Sequence, residues 1–149
     1  MKPALFLRIA AGLTFLHAVL HTIGGVFGSV PPGPAAVAVE AMKTNQFLLM
    51  GHLRSFWDFY RGLGLAATIS LTADSALFWL LGSLAKRDAP LLRPILISFS
   101  IAYTAMAVNS FTYFFAGPVI TEILIAACLG LAIFTARPQA AYAAADQRA

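Results

Sequence analysis

Apolar residues run along this chain in four long stretches, separated by short polar or proline-rich breaks. A helix crossing a hydrocarbon core of about 30 Å needs roughly 20 residues. Stretches at about 4–27, 56–84, 94–115 and 119–135 suit that length, the second being long enough to tilt or protrude. The first is stopped by Ser29-Val-Pro-Pro-Gly-Pro34, because proline removes a backbone donor and restricts the residue before it. From about 35 to 50 the pattern turns helical again, but Glu40, Lys43, Asn45 and Gln46 make it too polar to span, which predicts a short interfacial helix. Pro94 suits the first turn of the third helix, and Gly117-Pro118 forms a tight break before the fourth. Arg137-Pro138 ends the last helix and leaves an alanine-rich, flexible tail at 138–149. The expected fold is all-α: one integral membrane domain over 1–149, a four-helix bundle with an interfacial helix between helices 1 and 2.

Composition agrees. Of 149 residues, 60% are hydrophobic and only 11% charged, whereas a soluble domain carries about 25% charged residues. The mean hydropathy is +0.81 and the pI about 9.6. The basic residues flank the apolar stretches instead of forming a stripe, so they read as topology signals and exclude a nucleic-acid surface. Lys2 and Arg8 begin the first stretch, Lys86, Arg87 and Arg93 crowd the second connection, and Arg137 and Arg148 follow the fourth. By the positive-inside rule both termini are cytoplasmic, in a multi-pass bacterial inner (plasma) membrane. Trp57, Tyr60, Phe111, Tyr113, Phe114 and Phe115 then supply an outer aromatic belt. Arg8 interrupts the first stretch and no clean cleavage motif follows it, which favours an uncleaved helix over a signal peptide. With Cys128 as the single cysteine, no intrachain disulfide can form.

The polar residues inside these stretches are the candidates for chemistry. Ala10, Thr14, His17, His21, Gly24 and Gly28 share one helical face, and their small size suits close helix contact. His17 and His21 stand at i and i+4, a spacing that lets two imidazoles hold one metal ion. A metal site needs further ligands, for which Glu122 is the first choice, with Asp58 and His52 as alternatives. Two histidines of one helix cannot serve as opposite axial ligands of one haem. The competing reading makes them buried, hydrogen-bonded structural groups. Asp58 and Arg61 lie three apart and are close enough to pair. Asp74 lies deeper, where an unpaired charge costs at least ~2.5–3.5 kcal/mol; a structural Arg8–Asp74 pair would relieve it. Ser98, Ala102, Ala105, Asn109 and Thr112 read as a packing seam on helix 3, with Asn109 as polar glue.

The segment Arg8-x-x-x-Gly12-x-x-Phe15-x-His17 resembles the first helix of DoxX-like bacterial membrane proteins. Leu16-His17-x-x-x-His21-x-x-Gly24-Gly25 together with Phe56-x-Asp58-Phe59-Tyr60-x-Gly62-x-Gly64 is similar to a group of uncharacterised small bacterial proteins with four transmembrane helices. The likeness covers the first half of the chain. It implies a membrane redox or sulfur-linked role by analogy, and the chain departs from the DoxX pattern around the second histidine. No glycine-rich phosphate loop, nucleophile elbow or transporter-like repeat is present.

Together these patterns predict a polar pocket in the outer half of the bundle, built from His17, His21, Asp58, Arg61, Asn109 and Glu122. It would hold a metal ion (on His17, His21 and Glu122), a quinone or another small ligand in a redox-linked role. The expected surroundings are the lipid bilayer and either a homo-oligomer or a membrane complex, with no nucleic acid. The alternative is a non-catalytic structural subunit or assembly factor.

Overall fold

Long runs of Leu, Ile, Ala and Phe with few helix breakers give a chain that is mostly helix. The computed structural model describes residues 2–136. Helix α1 covers Lys2–Leu20 and continues as a π-helical turn over His21–Val26, where the Phe27 N–H reaches the Thr22 carbonyl five residues back at 3.1 Å. After the proline-rich break, α2 covers Pro34–Thr44 and packs on the second strand of a hairpin, β1 (Gln46–Leu49) and β2 (His52–Ser55). Helix α3 follows at once over Phe56–Asp88, and its 33 residues span about 50 Å at 1.5 Å per residue. A 3-10 turn at Pro90–Leu92 leads into α4 (Arg93–Tyr113), and α5 (Ala116–Thr135) closes the described chain. Among the described residues, four helical segments are long and apolar enough to cross a membrane: Lys2–Val26, Phe56–Asp88, Pro90–Tyr113 and Ala116–Thr135.

The helix expected over 35–50 ends at Thr44. Asn45 takes extended backbone (φ −80°, ψ 101°), and Met50 and Gly51 both have positive φ, 48° and 83°. That pair builds the two-residue type I′ turn that matches the twist of a hairpin. The apolar run Phe47-Leu48-Leu49 therefore becomes a strand. Arg137, Pro138 and the tail at 138–149 lie outside the described residues.

The chain divides into two compact units, residues 16–72 and the remainder. The terminal unit combines the start of α1, the end of α3, and α4 packed on α5. Its core draws Leu7, Ala10 and Ala11 from α1, Phe78, Leu81 and Ala85 from α3, Leu96 and Tyr103 from α4, and Ile125, Leu129 and Ala132 from α5. Each set recurs every three, four or seven residues, so one face of each helix is buried. Phe78 meets Phe99 edge-on at 5.1 Å and lies 5.8 Å from Tyr103, ring centre to ring centre. On α4 the buried face is Leu96, Tyr103, Ala107 and Ser110. The expected seam of Ser98, Ala102, Ala105, Asn109 and Thr112 is exposed instead. Tyr103 fills the interior where the small residues cannot, and it turns them outward.

The central unit contains the end of α1 with its π turn, α2, the hairpin and the start of α3. Phe47 anchors the hairpin, its ring 5.1 Å from Phe56 and stacked on Phe59 at 6.1 Å.

Candidate functional site

In the central unit, polar groups tie the π turn to α3. His21 Nε2 lies 3.0 Å from the Gly64 carbonyl. A carbonyl only accepts, so this nitrogen carries the proton. The Thr22 and Thr68 hydroxyls meet at 2.9 Å, and the Tyr60 hydroxyl donates to the Gly25 carbonyl at 2.9 Å. Gly64 is what permits this approach, for a Cβ there would sit 2.9 Å from Val26 Cγ2. His17 is 9% exposed, and its Nδ1 has no hydrogen-bond partner among the described residues.

Asp58 and Arg61, expected to pair, take other partners. The Asp58 carboxylate accepts from the Ser55 N–H at 2.8 Å and the Ser55 hydroxyl at 3.0 Å, while Ser55 Oγ accepts from the Asp58 N–H at 3.2 Å. This reciprocal arrangement is a capping box, and it satisfies orphan donors at the start of α3. Arg61 lies over the Phe27 ring at 5.1 Å. A shallow cavity of about 230 Å³ beside them is lined by Arg54, Asp58, Phe59, Gly62 and Leu63.

The terminal unit holds the other candidates. Glu122 is 3% exposed; Ser110 donates to its Oε1 at 3.1 Å, and Oε2 has no partner among the described residues. The adjacent Asn109 is exposed, because α4 turns Ser110 inward instead. Asp74 Oδ2 accepts from the Tyr103 hydroxyl at 3.0 Å. Arg8 donates to Ser83 Oγ at 3.0 Å and lies 3.5 Å over the Trp79 ring. The expected Arg8–Asp74 pair is thus replaced. Ser83 stands nine residues beyond Asp74, about 13 Å farther along α3, so Arg8 meets that helix too far on. Ser75, fully inside the same unit, donates to the Ala11 carbonyl at 2.9 Å.

Sequence reasoning missed Ser55, Tyr103 and Ser110. The Ser55-x-x-Asp58 spacing was the available signal for the cap, and Leu96, Tyr103, Ala107 and Ser110 repeat at helical intervals that include both hidden polar groups of α4.

His17, His21, Asp58 and Arg61 fall in the central unit, and Arg8, Asp74, Asn109 and Glu122 in the terminal one. Among the described residues, no three His, Cys, Asp or Glu side chains gather as a metal-ion site. The chain matches no family model, no curated protein and no solved structure. What the geometry offers chemically is a buried carboxyl group fixed by one hydrogen bond, with its second oxygen lacking a partner among the described residues.

Proposed function

We propose that this is a multi-pass membrane protein that binds a small hydrogen-bonding ligand within the bilayer, with Glu122 as its anchor. In this reading the four apolar helices cross a bacterial inner membrane as a bundle with both chain ends in the cytoplasm. Lys2 and Arg8, and then Lys86, Arg87 and Arg93, mark the cytoplasmic helix ends. Glu122 lies about 9 Å along α5 from Ala116, on the opposite, outer side.

The observation that carries the reading is the free Oε2 of a carboxyl group that is 3% exposed. Ionisable groups within membrane segments are costly, so their retention points to a pathway or ligand. A buried polar atom without a partner costs about 1–3 kcal/mol, and a ligand offering a hydrogen bond would recover it. A quinone, accepting from a protonated Oε2, or its hydroquinone, donating to an ionised one, would supply such a bond. The test is organic extraction and mass spectrometry of the detergent-purified protein, alongside Glu122→Gln and Glu122→Leu. A small molecule retained by the native chain and lost from Glu122→Leu supports the reading. Equal extracts from all three overturn it.

A second reading, a non-catalytic subunit, draws on the bonds that join helices. Tyr103 to Asp74 and Ser110 to Glu122 fasten α4 to α3 and α5. It predicts variants that lose thermal stability while their extracts match the native one.

A further inference from the structure

The hairpin between α2 and α3 presents large apolar side chains to its surroundings. Met50 at its tip is 93% exposed, and the cross-strand pair Leu48 and Leu53 is 73% and 57% exposed. Directly opposed residues of an antiparallel ladder share a face. Leu48 and Leu53 therefore occupy one face, while Phe47, Leu49, His52 and Arg54 occupy the other. Phe47 on that second face is held by the rings of Phe56 and Phe59, so the Leu48–Leu53 face is the one left open.

Met50 supplies a separate observation. A type I′ turn favours Asn or Gly at a first central position with positive φ. Here the position is filled by Met at φ 48°, with Gly51 at φ 83° behind it. Strained backbone at a non-glycine residue clusters at functional positions. What this backbone presents is a flexible apolar side chain aimed away from the protein.

The position in the chain names the occupant. Ser55 ends β2 and caps α3, so the hairpin is tethered where a candidate span begins. The start of that span exposes Phe56, Phe59 and Leu63, and Phe47 links the hairpin to the first two rings. Lys43 stands 5.0 Å over Trp57, which stacks on Tyr60; aromatic rings beside a cation are the side chains of a bilayer interface. We infer that the hairpin tip, Leu48, Met50 and Leu53, is seated in the surface of the lipid bilayer beside the entry of α3. The inference rests on the membrane reading above and adds a lipid contact outside the four spans.

The test uses the full chain with Cys128→Ser as background and a single Met50→Cys carrying an environment-sensitive nitrobenzoxadiazole label. Leu53→Cys serves as a second label site. The protein is reconstituted in vesicles of phosphatidylcholine and phosphatidylglycerol, with or without brominated acyl chains. Flotation resistant to carbonate is checked first, and a chain that does not float overturns the membrane reading itself. For a chain that floats, blue-shifted emission that is lost with brominated lipid and survives aqueous iodide supports the seated tip. Quenching by iodide overturns it, placing the tip in water. Emission indifferent to both quenchers also overturns it, placing the tip against protein, in a second copy or a neighbouring chain.

Discussion

Replacing Gly64 by alanine isolates the contact that holds the π turn of α1 against α3. The added Cβ would lie 2.9 Å from Val26 Cγ2, where ordinary contact needs at least half an ångström more. Val26 has little room to yield, being buried and β-branched. Overpacking of this kind costs about 1–3 kcal/mol. Against it, alanine improves on glycine within a helix by about 0.8–1 kcal/mol, so the net loss is roughly 0–2 kcal/mol. Gly62→Ala provides the reference, because a Cβ there meets nothing within 4 Å and collects the propensity gain alone. Subtracting one variant from the other cancels the propensity term and leaves the steric cost, about 1–3 kcal/mol. The assay is reversible unfolding in mixed micelles, followed by circular dichroism. A double-mutant cycle with Val26→Ala adds a second arm, since removing Cγ2 relieves the collision and the two changes should couple by about 0.5–3 kcal/mol. Equal stability of the two alanine variants, together with no coupling to Val26, would refute the reasoning.

Other substitutions probe other parts of the molecule. Ser55→Ala removes the cap of α3 and should lower stability by about 0.5–2 kcal/mol, read from the same unfolding curves; Ser55→Thr should keep most of it. Tyr103→Phe deletes the donor to Asp74 and should cost about 1–3 kcal/mol, while the further change Asp74→Asn should recover part of that loss because an amide is cheaper to leave unpaired. Ser110→Ala should free Glu122 Oε1 and speed the reaction of Glu122 with a hydrophobic carbodiimide, scored by peptide mass mapping. Arg8→Lys should lose both the planar stacking on Trp79 and the bond to Ser83, so the tryptophan emission of the variant should change, whereas a distant control such as Lys86→Arg should leave it unaltered.

How much of this could be read beforehand depends on which physical signal each feature leaves in the sequence. The four long helices were legible because length and unbroken apolar character suffice to mark them, and the prolines at 31, 32 and 34 mark the first stop plainly. The buried stripe of α1 was legible from spacing and small size through Ala10, Thr14 and His17, but Gly24 and Gly28, expected to continue it, are exposed at and beyond the π turn. On α4 the same logic chose the wrong face. A soluble helix betrays its outside by its polar stripe, but α4 is apolar nearly all round, so only packing decides that Tyr103 and Ser110 point inward and Asn109 does not. Asp58 and Arg61 carry opposite charges three residues apart, a spacing that suggests a pair, while the cap with Ser55 depends on where α3 begins. That boundary was obscured by the hairpin, whose Phe47-Leu48-Leu49 run suits a helix as well as a strand until Met50 and Gly51 turn the chain. The partners of Arg8 and Glu122 depend on how far helices slide past one another, which no local pattern records.

The π turn at His21–Val26 has a consequence for anyone editing this chain. Hydrogen bonds that close five residues back accommodate one residue more than an α-helical turn would. Excising a single residue there would let the ladder relax to ordinary pitch with its two sides kept in nearly the same phase, whereas straightening the turn without a deletion would rotate one side by roughly 100° relative to the other. In the straightened turn Val26, packed at Gly64, would fall out of phase with His21, which is aligned on the Gly64 carbonyl. Loss of one amino acid in this turn should therefore be absorbed more readily than an insertion, and helix grafts should carry the turn whole.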